Sequence, residues 1–238
     1  MYRSPASVVG VSIEDASVLE WLSEFLAPCL EEEKETASRD VDVRLVIDGA
    51  AFSALRAAGA EPSAPLVDCF RLDDGLVRLP RWRDDGAELT IFDEALEAFY
   101  RRPGCGEPVE VLVAGDSAQA RVAVMRVVRE LTMSQLVASG WLVVHASAFV
   151  VDGRAALVVG PKRAGKTTLL TYALATGTTQ CLANDRVAIA LDGSRTAWGI
   201  ATIVSLRIAM MRRFPALERR LRSRRYDFRF SRRRTYTS

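Results

Sequence analysis

The sequence predicts an α/β protein with a mixed sheet, in which a β-hairpin leads straight into a phosphate loop and its helix. A smaller N-terminal α/β region precedes this part. Three observations carry the prediction. Gly160-Pro161-Lys162-Arg163-Ala164-Gly165-Lys166-Thr167 matches GxxxxGK[ST], with an apolar run before it and a helix-forming run after it. Asp152–Gly153 separates WLVVHASAFVV from RAALVV, the pattern of two strands joined by a two-residue turn. Residues 1–115 alternate strand-like and helix-like stretches. A doubly wound parallel sheet does not fit, because parallel neighbours need a long crossover rather than a two-residue turn.

Within the N-terminal region, Ser12 is placed to cap a helix that starts near Glu14, with Asp15 three residues on. Leu19, Leu22, Phe25, Leu26 and Leu30 form its apolar face, and Pro28 ends or kinks it. EEEKETASRD reads as a loop, and VDVRLVID alternates as a strand from Val41 to Asp48. LVDCFRLDDGLVRLPRW holds two alternating runs around Asp74–Gly75, a hairpin signal. AELTIFD and PVEVLVAG read as further strands. Ser117 to Ser139 has helical spacing, with Val122, Met125, Val128, Leu131 and Leu136 apolar, Asp116 as cap and Gly140 as stop.

The C-terminal part begins with the hairpin from Trp141. A helix from Lys166 to Ala175 follows the loop and closes at Gly177. CLAND, RVAIAL, an Asp192–Gly193 turn and TAWGIA predict further antiparallel pairing. The chain divides into 1–115 and 116–238, with the boundary lying between Pro108 and Gly140.

Composition bounds the class. A chain of 238 residues, 49% hydrophobic and 26% charged, suits a globular protein able to bury a core. No apolar run reaches the roughly 18 residues of a membrane span. MYRSPASVVG lacks the apolar segment of a secretory signal, so the expected compartment is the cytoplasm. Cys29, Cys69, Cys105 and Cys181 are widely spaced and the chain has one histidine, which argues for free thiols and against zinc.

The loop spacing has a chemical purpose. Glycines let the backbone curl until several N–H groups converge on one phosphate. The positive end of the following helix adds to that field. Gly160 through Thr167, with Thr168 beside them, are therefore the candidate ATP-binding residues. Lys166 reaches the β and γ phosphates, and the Thr167 hydroxyl is a magnesium ligand.

Two further residues complete the candidate site. His145, the only histidine, shares a strand face with Ser147 and Phe149, and the hairpin turns that strand back toward the loop. An imidazole there can donate, accept or carry charge beside a phosphoryl group. Asp185 ends TTQCLAND, 19 residues beyond Lys166. Its carboxylate suits a metal ligand or a base for an attacking hydroxyl. A turn aspartate beside Asn184 is the alternative reading. Arg186, next along, is placed to steady a phosphate or to end a strand in solvent.

Together, VVHASAFVVDGRAALVVGPKRAGKTTLL and LANDRVAI resemble the core of HPr kinase/phosphorylase and its relatives, over about Trp141 to Leu191. The resemblance implies a phosphoenolpyruvate-carboxykinase-like fold. It also implies an ATP- and Mg2+-dependent kinase acting on a hydroxyl of a protein, peptide or small molecule. Its loop groups fall on Gly160, Gly165, Lys166 and Thr167, its histidine on His145, and the second aspartate of its acidic pair on Asp185. Asn184 stands where the family has its first acid, so the reverse, phosphorylase reaction is not implied. Lys162-Arg163-Ala164 replaces the usual small residues of the loop, and a kinase of this fold ordinarily continues beyond Ser238. A non-catalytic ATP-binding regulator is the rival reading. Homo-oligomerisation is left open. A transport ATPase is disfavoured, because no LSGGQ signature is present.

The net charge of +2 hides an asymmetry: residues 207–238 hold twelve arginines against Glu218 and Asp227. Leu206, Met210, Phe214, Leu217 and Leu221 recur at helical spacing, so an amphipathic helix with a solvated basic face is expected. That reading ranks above an acidic partner, and nucleic acid ranks last.

Overall fold

The computed structural model describes residues 1–5, 8–27, 29–32, 40–72, 75–161, 163–202, 204–206, 212–215, 225–226 and 234–236. They form two compact units, Met1–Glu24 with Glu31–Ser134, and Phe25–Leu30 with Gln135–Ser238. The division falls inside a helix, between 134 and 135.

The first unit runs β1 (Tyr2–Arg3), β2 (Val8–Ile13), α1 (Ala16–Leu26), β3 (Glu31–Glu32), β4 (Val41–Ile47), α2 (Gly49–Ala58), β5 (Val67–Leu72), β6 (Gly75–Leu79), β7 (Leu89–Asp93), β8 (Ala98–Arg102), β9 (Val109–Val113) and α3 (Ala118–Ala138). Its main sheet has seven strands in the order β3-β1-β2-β4-β9-β8-β7. The β2–β4 and β4–β9 pairs are parallel, and the others are antiparallel. The chain is therefore α/β with a large mixed sheet and few helices. That sheet belongs to the N-terminal part, which was expected to be the smaller. An antiparallel meander of β7, β8 and β9 widens it.

Alternation buries both faces of the sheet. Phe92, Phe99 and Leu112 point to one side and pack with Phe52 and Leu55 of α2 and with Trp82. Val43, Leu45, Val111, Val113 and Ala98 fill the other side. There Asp93 is almost fully buried, and Arg126 of α3 pairs with it at 3.0 Å. The β5–β6 hairpin forms where expected, with Leu72 opposite Gly75. Asp74 itself lies outside the described residues.

Two expected caps shift. Asp15, not Ser12, caps α1: its carboxylate accepts from the amides of Ser17 and Val18 at 2.9 and 3.2 Å. Ser12 stays in β2, because that strand is held by pairing with β4 as far as Ile13. Leu19 is exposed, while Val18 and Trp21 are buried with Leu22, Phe25, Leu26 and Leu30. Pro28 lies outside the described residues. In α3 the Ser117 hydroxyl accepts from the Ala120 amide at 3.0 Å, and Asp116 instead pairs with Arg121.

The second unit runs β10 (Trp141–Val151), β11 (Arg154–Val159), α4 (Lys166–Ala175), β12 (Gln180–Ala183), β13 (Arg186–Ala190) and β14 (Ala197–Gly199). Short strands β15 (Val204–Leu206), β16 (Arg225–Tyr226) and β17 (Arg234–Tyr236) pair among themselves. Every described pair in this unit is antiparallel, so the mixed sheet expected around the loop is not found here. The β10–β11 hairpin turns at Asp152 and Gly153, with φ of 49° and 70°, the left-handed pair of a two-residue turn. Leu206 lies in a strand rather than the expected basic helix. Met210, Leu217 and Leu221 lie outside the described residues. Phe214 stacks edge-on against Tyr172 of α4, with ring centroids 4.7 Å apart.

β10 organises this unit. Residues 141–145 pair with β13 and residues 148–150 with β12 along one edge, while residues 146–151 pair with β11 along the other. The strands at the two ends of the order both pack on one apolar cluster: Ala146, Ala148, Ala183 and Val187, with Leu157 of β11 and Ala197 of β14. Small side chains permit this approach. Between β14 and β12, a Cβ on Gly199 would collide with the Leu182 carbonyl oxygen.

Gly199→Ala should therefore cost about 3 kcal/mol or more, because the contact is with backbone that cannot swing aside. A denaturant midpoint unchanged from the parent would contradict this packing. The thiols offer a second check. Burial, reinforced by the neighbouring Cys181, pushes the Cys29 thiol up to about 12, and burial pushes Cys181 to about 11, while Cys105 is exposed. Alkylation at pH 8, mapped by mass spectrometry, should label Cys105 well before either of the other two.

Candidate functional site

The loop joins β11 to α4. A Cβ on Gly160 would meet Ala164 Cβ at 3.2 Å, so the curl is tight from its first residue. Arg163 sits at φ 66° and Gly165 at φ 93°, both in the left-handed region. Glycine enters that region freely, whereas the arginine is strained there. The Ala164 amide donates to the Pro161 carbonyl at 3.2 Å. Lys162 lies outside the described residues.

Gly165 is the N-cap of α4 and supplies no side-chain hydrogen bond to it. The first-turn amides thus face out of the helix without the partner that a serine or aspartate would give. Thr167 and Thr168 are half-buried in this turn. Lys166 is buried, and its ammonium donates to the carbonyls of Gly160 and Pro161 at 2.8 and 3.1 Å. The cation is thereby folded back over the loop that it follows.

His145 and Asp185 meet through β10. Ala146 is opposite Val159, so the last step of β11 before the loop is level with the His145–Ala146 peptide. On the other edge His145 is opposite Arg186. The Asn184–Asp185 link between β12 and β13 is held from two sides: the Ala146 amide donates to the Asp185 carbonyl at 3.0 Å, and the Ser147 hydroxyl donates to the Asn184 carbonyl at 2.8 Å. The Asp185 carboxylate then lies 3.0 Å from His145 Nδ1 and 3.5 Å from Arg186 Nε.

The contact engages Nδ1 and leaves Nε2 as the ring's second polar atom. The His145 side chain is 51% exposed and that of Asp185 32%, so solvent or a ligand reaches both. The side-chain oxygen of Asn184 is buried with no hydrogen-bond partner among the described residues. It is an acceptor awaiting a donor. Ser147, fully buried, positions the pair, and its place two residues after His145 was the only sequence signal for that role.

The set can hold a phosphate with Lys166 and the uncapped helix turn. It can also present a carboxylate already oriented by an imidazole and a guanidinium. Among the described residues no group of three or more His, Cys, Asp or Glu gathers to hold a metal ion. Thr167, in the first turn of α4, and Asp185, in the β12–β13 link, are the candidate site's side chains that could ligate a metal. No protein-family model matches the chain. No curated protein matches it either.

Arg163→Gly tests the loop geometry. Relief of left-handed strain, about 1–2 kcal/mol, exceeds glycine's entropic cost of about 0.5–1 kcal/mol. The variant should therefore be as stable as the parent or more so in thermal melts, and a clear loss of stability would refute the strained backbone.

Proposed function

With no family to lean on, we propose that this chain is an ATP-dependent kinase of the HPr-kinase-like kind that phosphorylates a hydroxyl, either a serine of a protein or peptide or a small molecule's alcohol. One observation carries the reading. A carboxylate braced by His145 and Arg186 lies where β13 meets β10, the strand paired with the loop strand β11, in a chain whose loop motif opens an uncapped helix. Fold-level likeness to phosphoenolpyruvate-carboxykinase-like kinases belongs to this proposal as well.

Gly160, Pro161, Lys162, Arg163, Ala164, Gly165 and Thr168 form the cradle for the nucleotide's phosphates. Lys166 exchanges its two loop carbonyls for β- and γ-phosphate oxygens. Thr167 and Asp185 would hold magnesium, which would supply charge neutralisation at the nucleotide's phosphates. Asp185 takes the acceptor's proton as the hydroxyl oxygen bonds to the γ phosphorus. The bond from that phosphorus to the β–γ bridging oxygen breaks, and its electron pair leaves with ADP. His145 orients Asp185 and offers Nε2 to the transferring group. Positioning and fixed charge do most of the work. The protein acts as a cytoplasmic kinase, with a protein, peptide or small-molecule acceptor as its partner. No described helix is long and apolar enough to cross a membrane.

Asn184 favours a second reading, a nucleotide-binding regulator without turnover, because an amide in place of an acid cannot accept a proton. Labelled ATP incubated with the chain and native extract separates the two. Transfer of label to an acceptor, found by mass spectrometry, supports the kinase, and binding without transfer supports the regulator. Lys166→Ala should remove nucleotide retention. Asp185→Asn should keep ATP affinity within a few-fold while lowering transfer by at least about 100-fold. Surviving transfer in Asp185→Asn would show that another group takes the proton.

A further inference from the structure

The second unit carries a second feature, an open groove away from the loop. A cavity of about 660 Å³ opens between the start of β11 and the 191–196 turn that joins β13 to β14. Its floor is apolar, with Leu157, Ile189 and Ala197 all belonging to or packed on the unit's core. Its mouth carries Arg154 and Arg195, both exposed, with Leu191 exposed beside them. No acidic residue lines it, and neither arginine has an ion-pair partner among the described residues. Asp192 is nearby, but its carboxylate is turned onto the Ser194 amide at 2.9 Å.

The turn is built to hold its arginine. The Ala190 amide donates to the Thr196 carbonyl at 3.0 Å, and the Ser194 hydroxyl donates to Thr196 Oγ1 at 2.9 Å. Within that closed frame Arg195 adopts φ 59°, a backbone state that costs a non-glycine residue energy. Arg154 begins β11 and Gly160 follows its end. At about 3.3 Å per residue the cavity mouth and the phosphate loop are roughly 20 Å apart along one strand. The cavity is therefore not an extension of the loop site.

We propose that this cavity is a binding site for a small amphipathic anion, a molecule with one carboxylate, sulfonate or phosphate group and an apolar body. The apolar floor takes the body, and Arg154 and Arg195 take the charge at the mouth. The volume is in the range of small-molecule sites. Charge decides between occupants. The chain's own residues 207–238 carry an excess of ten positive charges and are repelled by two arginines. An isolated inorganic anion leaves the floor unused.

The probe is 8-anilinonaphthalene-1-sulfonate, titrated into the full chain and followed by fluorescence, with octanoate, octanol, inorganic phosphate and an oligoglutamate peptide as competitors. The expected result is saturable binding at one site, displaced by octanoate and at least tenfold more weakly by octanol or phosphate. Arg154→Gln and Arg195→Gly should each weaken binding about tenfold, the loss expected when one charge-assisted hydrogen bond is removed. Glycine at 195 suits the left-handed backbone, so a loss of binding in that variant, with an unchanged thermal melt, reports the missing charge. Displacement by octanol as strong as by octanoate, unchanged affinity in both arginine variants, or displacement by oligoglutamate alone would each overturn the proposal. Retention of ATP by Arg195→Gly, whatever its dye binding, keeps this outcome separate from the fate of the loop site.

Discussion

The arrangement of the second unit depends on β10 having different partners along its length. Its first half pairs with β13 and its second half with β12, so the two residues between those strands must sit at the changeover. Those residues are Asn184 and Asp185, and the backbone amide of Ala146 and the hydroxyl of Ser147 hold them there. The His145–Asp185 contact follows from strand pairing rather than from the attraction of the two side chains. An exposed pair contributes little to stability by itself, and its geometry is nonetheless fixed because the ladder fixes it.

Two strands thus lie end to end along one edge of β10, and a register shift between Ala148 and Phe149 interrupts the second pairing. Alanine at 146, 148 and 183 lets Leu157 and Ala197, from opposite margins, reach one cluster. The pleat separates site from cavity: His145 and Ala146, consecutive in β10, point to opposite sides of the sheet, so the imidazole lies on one side and the small apolar cluster on the other.

Much of this was legible in the sequence because it rests on local chemistry. Asp152–Gly153 encodes its turn in two residues, GxxxxGK[ST] encodes the loop, and Ser117 to Ser139 encodes α3 almost to the residue. Other elements were hidden where tertiary pairing outweighed local pattern. Ser12 reads as a cap until the parallel neighbour that holds it in β2 is known. α2 escaped notice because its cap, Asp48, also ends a convincing strand, and none of its residues is fully buried to mark a face. β8, AFYRR, has too few residues to alternate visibly, and its partners β7 and β9 define it. The approach of His145 to the loop end was readable in outline from the hairpin, whereas its meeting with Asp185 depends on β13 pairing with the other edge of β10. The roles of the Ala146 amide and the Ser147 hydroxyl were not readable, because a backbone bond across forty residues leaves no trace in composition.

The edge-on stack of Phe214 on Tyr172 changes what the arginine-rich stretch is. Such a ring pair contributes about 0.5–1.5 kcal/mol, enough to favour one location for a chain segment. Tyr172 is six residues along α4 from Lys166, about 9 Å of helix. Arg212 and Arg213, exposed and immediately ahead of the stacked ring, are thus moored to the loop helix instead of being spread through solution. Their field becomes a standing property of that helix, and it weakens with added salt over a Debye length of about 10 Å.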